Sequence, residues 1–419
     1  MLNKINLKKS KEAPKLLSVI LDQGFMSITT LLTSVILART FEKTQYADLV
    51  LLFSITIFIL GFQSAIISKP YAINLNDFDK TEIPNYYQFN LNLKLVFTVL
   101  TILIFPILYY VSFEEKNTIN FFLFLVYIIS HTSFFFIRET FLSERRTKEN
   151  LKYGLICSIS IVIILLFIYI KKTDNIYYFL IPASIVYAVI AIFYLIKNYK
   201  VSKISKSQWK RFTFSNWNIG KWLVGSNLFF HISSSIYPWL LLYITTKDSI
   251  AIFGVLMSIA SLVNPLLTAL SSYLLPLFVK MNKNNDQIKG SVRKWVVLFI
   301  LMACVLVFTG VFFGQYIITF LFGEKYRNLG ILVIYPFIVQ AINICFQPFK
   351  IALNAIKRTD INFWVLIPRS IISVILGYIL VSKFGLTGVF YTMIIETSLY
   401  QLTYFIVYQK IINSNLAYE

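Results

Sequence analysis

The sequence predicts an all-α integral membrane protein with twelve transmembrane helices in two six-helix bundles. Three observations carry this. Of the 419 residues, 57% are apolar and only 14% charged, where a soluble domain carries roughly 25% charge. The apolar residues gather in twelve long blocks, without the alternation a β-barrel needs. Twelve spans of ~20 residues consume about 240 residues, which is what the apolar content supplies. Lys and Arg sit between the blocks and favour every second interval, as in polytopic membrane proteins.

The first block, 16–37, follows Lys4, Lys8, Lys9, Lys11 and Lys15. It is longer than the ~7–15 residues of a signal-peptide core, and no small-x-small cleavage site follows, so it reads as an uncleaved helix. A short loop, Thr40 to Gln45, leads to block 46–68, which ends at Lys69-Pro70. Loop 69–92 carries Lys69 and Lys80, and Lys94, at the very start of the next block, is counted with them. Blocks 93–112 and 119–138 follow, then a basic interval with Arg138, Arg145, Arg146, Lys148 and Lys152. Blocks 153–170 and 176–196 flank Lys171 and Lys172 and complete the first half. The most basic interval, 197–221, divides the chain into expected bundles at 1–200 and 201–419. The second half gives 222–245, 250–278, 294–314, 329–349, 361–381 and 387–409.

Each block can cross the ~30 Å hydrocarbon core as a helix, and lipid offers open backbone no partner. About three quarters of the Lys and Arg fall on the side shared by both termini and the 197–221 interval. Both termini are therefore expected in the cytoplasm, with the protein multi-pass in the inner membrane. A parallel internal repeat is also expected. In each half a short loop leads into a long block that ends near a proline, at Pro70 and at Pro276.

A net charge of +20 would suit a nucleic-acid partner, but its placement between apolar blocks speaks for topology instead. Cys157, Cys304 and Cys345 have unrelated spacings in apolar stretches. They form neither a disulfide framework nor a metal cluster and read as small buried apolar residues. No P-loop or nucleotide-binding glycine motif is present. The two histidines, His131 and His231, have no carboxylate cluster near them. No catalytic residues, cofactor or metal are expected, and the chain reads as a transporter rather than an enzyme.

Several short runs in fixed order resemble the Wzx-type polysaccharide (O-antigen) flippases, within the larger superfamily that includes the MATE drug exporters. In the first half these are Asp22-Gln23-Gly24 and Leu37-Ala38-Arg39-Thr40-Phe41. In the second they are Phe253-Gly254-Val255 with Leu274-Leu275-Pro276, Phe313-Gly314 with Leu321-Phe322-Gly323-Glu324-Lys325-Tyr326, and Ala352-Leu353-Asn354-Ala355 with Phe384-Gly385-Leu386-Thr387-Gly388-Val389. Where relatives show Phe-Gly, the first half reads Gln45-Tyr46-Ala47. The resemblance implies a MATE-like pair of bundles around a central cavity. It also implies outward, alternating-access transfer of a polyprenyl-diphosphate-linked oligosaccharide for surface polysaccharide such as lipopolysaccharide O-antigen or capsule. A polysaccharide polymerase and a chain-length regulator are the protein partners it suggests, beside membrane lipids. A cation-coupled multidrug exporter is the first alternative, and a membrane polysaccharide polymerase or glycosyltransferase the second.

Ionisable residues inside spans cost at least ~2.5 kcal/mol at the bilayer centre and are usually kept for function. Arg369 and Glu396 fall near the midplane of neighbouring helices. Either they line the cavity, Arg369 attracting the diphosphate, or they form a buried ion pair. Asp22, in the first block, and His231, in the seventh, join Glu396 as candidates for a coupled proton or sodium ion. Arg39, at the outer end of the first helix, is a candidate phosphate or sugar contact, or a snorkelling anchor. Asn227 and Asn264 are candidates for bonding sugar hydroxyls, or for interhelical bonds.

Overall fold

Every apolar block is helical in the computed structural model, which describes residues 13–75, 77–198, 202–281, 285–356, 358 and 360–413. The charges placed at Lys4, Lys8, Lys9, Lys11, Lys200, Lys283 and Lys357 lie outside the described residues. The chain divides into two units, Met1–Leu228 and Phe229–Glu419.

The first unit opens with α1 (Ala13–Thr40) and α2 (Lys43–Gln63). Between them lies a two-residue joint, whose Phe41 is fully buried. A π-helical turn, Ser64–Ser68, joins α2 to α3 (Lys69–Asn74) as one continuous rod. Pro70 therefore does not end the helix, as the sequence suggested. Proline lacks the N–H of a normal α turn, and the wider turn just before it absorbs the missing bond. The second proline of the expected repeat does not end its helix either, because that helix runs on through position 276. Next come α4 (Ile83–Ser112), α5 (Thr118–Ser143), α6 (Thr147–Lys171) and α7 (Tyr177–Asn198). Asn117 caps α5, its side chain accepting from the Ile119 N–H at 2.8 Å. Within this unit α1 packs on α6, and α5 packs on α2, α4 and α7.

The helix α8 (Lys206–Ser234) begins in the first unit and ends in the second. There α9 (Tyr237–Ile244), α10 (Lys247–Ser261), α11 (Asn264–Met281), α12 (Asn285–Phe322) and α13 (Ile334–Ala355) follow, then α14 (Ile361–Trp364), α15 (Leu366–Phe384) and α16 (Leu386–Asn413). Here α13 packs on α12 and α16, and α15 on α16 and α9. Gly323 (φ 92°) and Gly385 (φ 56°) end α12 and α15 in backbone conformations a side chain resists. The intervals 69–92 and 197–221 are mostly helix; among the described residues, 75, 77–82 and 202–205 remain as non-helical connections.

Counting α2–α3, α8–α9, α10–α11 and α14–α15 as single rods, the described residues form twelve. Ten are long and apolar enough to cross a membrane; α8–α9 and α16 are more polar. The expected twelve spans are consistent with this count. Burial is inverted relative to a soluble protein. On α4, Leu103, Ile107 and Tyr110 are 65–71% exposed while Lys94 is 4% exposed. An apolar exterior around buried charge identifies a multi-pass membrane protein, since only lipid suits such a surface.

Candidate functional site

In each unit the helices draw ionisable side chains into the interior. In the first unit Asp22 (1% exposed) on α1 accepts a charge-assisted bond from Arg138 Nη2 on α5. It also accepts from Asn150 Nδ2 on α6 at 2.8 Å. One turn away, the Ser18 hydroxyl donates to Thr147 Oγ1 at 2.8 Å. Gly154 is what lets α6 come this close: a Cβ there would lie 2.3 Å from Asp22 Oδ1. In lipid such close backbone approach and interhelical bonding replace hydrophobic driving force. Asp22 is thus held by three helices and does not face water. Asp22 Oδ1, Asn150 Oδ1 and Arg138 Nε have no protein partner.

Arg138 and Lys94 correct the sequence reading, which assigned both to loops. Both are buried within helices. Lys94 Nζ donates to Thr132 Oγ1 on α5 at 2.8 Å. Gln63 on α2 donates to the Thr132 carbonyl at 3.0 Å. Glu139, one position past Arg138, accepts from Ser64 of the π turn at 3.1 Å. These residues were missed because a charge was taken to mark the end of an apolar block. The usable signal was the polar residues on the same helical face, with Asn90 one turn before Lys94 and Tyr87 two turns before it.

In the second unit Arg369 Nη2 on α15 lies 3.0 Å from Glu396 Oε1 on α16. Their side chains are 16% and 0% exposed. Ser373 donates to the other carboxylate oxygen, and the guanidinium stacks over Tyr400 at 4.7 Å. Tyr400 bonds Tyr404, whose hydroxyl donates to Asn362 at 2.7 Å. Of the two arrangements the sequence allowed, the ion pair is the one formed. His231 is buried, with Nδ1 3.1 Å from the Ser235 hydroxyl one turn on.

The remaining candidates are more peripheral. Arg39 is exposed at the end of α1, 5.8 Å over the Tyr169 ring. Asn264 is exposed at the start of α11. Asn227, on α8, is half-buried with Nδ2 unpartnered. Elsewhere in the second unit, Asn343 on α13 accepts from Gln401 on α16 at 2.8 Å, an interhelical bond. His131 lies among the rings of Tyr127, Phe135 and Tyr187. The cysteines are free, and Cys304 is exposed on the apolar exterior rather than buried as expected. Among the described residues no His, Cys, Asp and Glu group could hold a metal.

The same fold is known in other membrane proteins. An inward-facing multidrug-resistance MATE family transporter of the MOP superfamily superimposes with a TM-score of 0.71 at 15% identity, over 95% of this chain and 98% of that one. The lipid II flippase MurJ, in an inward closed conformation, gives 0.69 at 17% identity, over 93% of this chain and 87% of that one. A MOP superfamily transporter from Pyrococcus furiosus, described as having reversed pocket polarity, gives 0.58 at 14% identity, with 97% of each chain covered. No protein-family model and no curated protein matches the chain. The fold is MATE-like, as the sequence resemblance implied.

Proposed function

We propose that this chain is a flippase of the Wzx type. It would carry polyprenyl-diphosphate-linked oligosaccharide from the cytoplasmic to the outer leaflet of the inner membrane, for O-antigen or capsule synthesis. The observation that carries the reading is a surplus buried cation in a MATE-like fold shared with a lipid flippase: Arg138 and Arg369 are matched by Asp22 and Glu396, whereas Lys94 lies buried within α4 with only the Thr132 hydroxyl as partner among the described residues. A buried ammonium without a carboxylate partner complements an anionic headgroup and repels a cationic cargo. Alternating access suits this cargo, because the hydrophilic head crosses through protein while the prenyl tail stays in lipid.

Arg369, Arg39, Asn227 and Asn264 are the proposed substrate contacts. A coupled proton or sodium ion is assigned to Asp22, Glu396 or His231. At either carboxylate the ion would replace the arginine partner during the cycle, which keeps the buried site close to neutral. A polymerase and a chain-length regulator are the proposed protein partners, and both termini are proposed to be cytoplasmic. The likeness to the multidrug-resistance transporter favours a second reading, cation-coupled drug export.

Expression in a bacterial strain lacking its own polysaccharide flippase separates the two. The flippase reading expects restored surface polysaccharide with unchanged drug sensitivity. Raised resistance to cationic drugs with no restored polysaccharide would overturn it in favour of the exporter.

A further inference from the structure

Among the described charges inside the helices, Lys94 stands apart. Asp22 has Arg138, Glu396 has Arg369, and Glu139 accepts from Ser64. Lys94 is 4% exposed and lies within one turn of the midpoint of α4. Its ammonium makes one bond, to the Thr132 hydroxyl at 2.8 Å. That hydroxyl spends its own proton on the Ile129 carbonyl at 3.1 Å, so it can only accept from Lys94. No carboxylate among the described residues is within ion-pairing distance of Lys94. Beside it, Gln63 is fully buried; its amide nitrogen is used on the Thr132 carbonyl at 3.0 Å, and its Oε1 has no partner. Three helices, α2, α4 and α5, thus meet around a cation with two N–H groups to give and an amide oxygen ready to accept.

A buried ammonium in a span is costly unless something offsets it. The groups left over define what would: an anionic oxygen for Lys94, and a hydroxyl donor for Gln63 Oε1. A sugar phosphate carries both. We infer that Lys94, Gln63 and Thr132 form a subsite in the first unit for the sugar-phosphate part of the substrate's head. The inference rests on the flippase reading.

The test uses the purified full chain and its melting temperature, with polyprenyl diphosphate, inorganic pyrophosphate or uncharged polyprenol as the added probe. Lys94→Met removes an unpaired buried charge but keeps the chain length, so the unliganded variant should be at least as stable as wild type. Polyprenyl diphosphate should raise the wild-type melting temperature. K94M should need about tenfold or more probe for the same shift, and Lys94→Arg should respond nearly as wild type does. Pyrophosphate should shift the wild type less than the lipid does, and polyprenol should not shift it. Gln63→Leu should keep the response to bare polyprenyl diphosphate and lose the extra response given by a sugar-bearing lipid. A K94M response equal to wild type overturns the inference and leaves the flippase reading intact. A K94M protein that fails to fold overturns it too, since Lys94 would then be holding the helices together. An equal shift with polyprenol also overturns it. A wild type indifferent to every lipid diphosphate overturns the flippase reading itself.

Discussion

Arg369 and Glu396 share a bond of 3.0 Å in a nearly water-free position, so the loss of one differs in kind from the loss of both. Either single change, Arg369→Leu or Glu396→Leu, leaves the partner's charge buried and should cost ~3–5 kcal/mol. The double change removes both charges and should restore membrane abundance well above either single variant. Abundance and polysaccharide export, measured on all three, separate folding from transport. A double variant that is abundant yet exports nothing assigns the pair to transport, whereas one as scarce as the worse single variant rejects the pairing argument. The contact of Gly154 with Asp22 makes a second residue-scale expectation. In Gly154→Ala the new methyl would meet Asp22 Oδ1 at 2.3 Å, while Arg138 and Asn150 hold the carboxylate from the other side. The carboxylate must shift and strain both bonds, so the variant should melt below wild type by several degrees. Unchanged melting would mean that α1 and α6 can separate freely.

At the scale of elements, the turn between α15 and α16 depends on close backbone approach. A Cβ on Gly388 would lie 2.1 Å from the Leu380 carbonyl oxygen, and backbone cannot swing aside as a side chain can. Gly388→Ala should therefore abolish folded protein, whereas Gly290→Ala, on α12 with nothing within 4 Å, should fold normally and gain up to about 1 kcal/mol of helix propensity. Quantifying both variants in detergent extracts checks this, and equal yields would contradict it. The elements themselves were legible in the sequence, because long apolar blocks in lipid have little choice but to be helices. Their ends were not. Charge was used to mark them, yet Lys94 and Arg138 lie inside helices because Thr132 and Asp22 meet them there. Pro70 was read as a stop: the sequence shows the residue that removes a backbone bond, but not the π turn whose wider bonding lets the helix continue past it. For the candidate site, the pairing of Arg369 with Glu396 was readable from helix-rise arithmetic. The pairing of Asp22 with Arg138 depends on how α1 packs on α6 within reach of the long Arg138 side chain from α5, which no local pattern records.

For the whole molecule, the span number turns on the two rods that are less apolar than the rest, α8–α9 and α16. If α8–α9 did not cross, every interval after it would be inverted and the Lys and Arg bias scrambled, so that rod is expected to cross; α16 is the last element, and its own residues argue for it. The rod α8–α9 covers 206–244, longer than one span needs, with Ser235 and Ile236 separating its two helices. The rod α16 hides its polar groups: Glu396, Thr397 and Gln401 are 1–3% exposed while Leu399, Leu402 and Ile406 face outward. A helix that keeps its polar side chains inward and its apolar ones outward can sit in lipid despite a modest average hydropathy. Single cysteines give the test, introduced after Cys157, Cys304 and Cys345 are replaced and labelled with a membrane-impermeant reagent in whole cells. Lys203→Cys and Lys172→Cys flank α7 and should report opposite sides. Lys203→Cys and Asp248→Cys flank α8–α9 and should do the same, as should Lys383→Cys and Lys410→Cys around α16. Labelling of Lys203→Cys and Asp248→Cys from one side would make α8–α9 a surface element, leave eleven crossings at most, and put the two termini on opposite faces of the membrane.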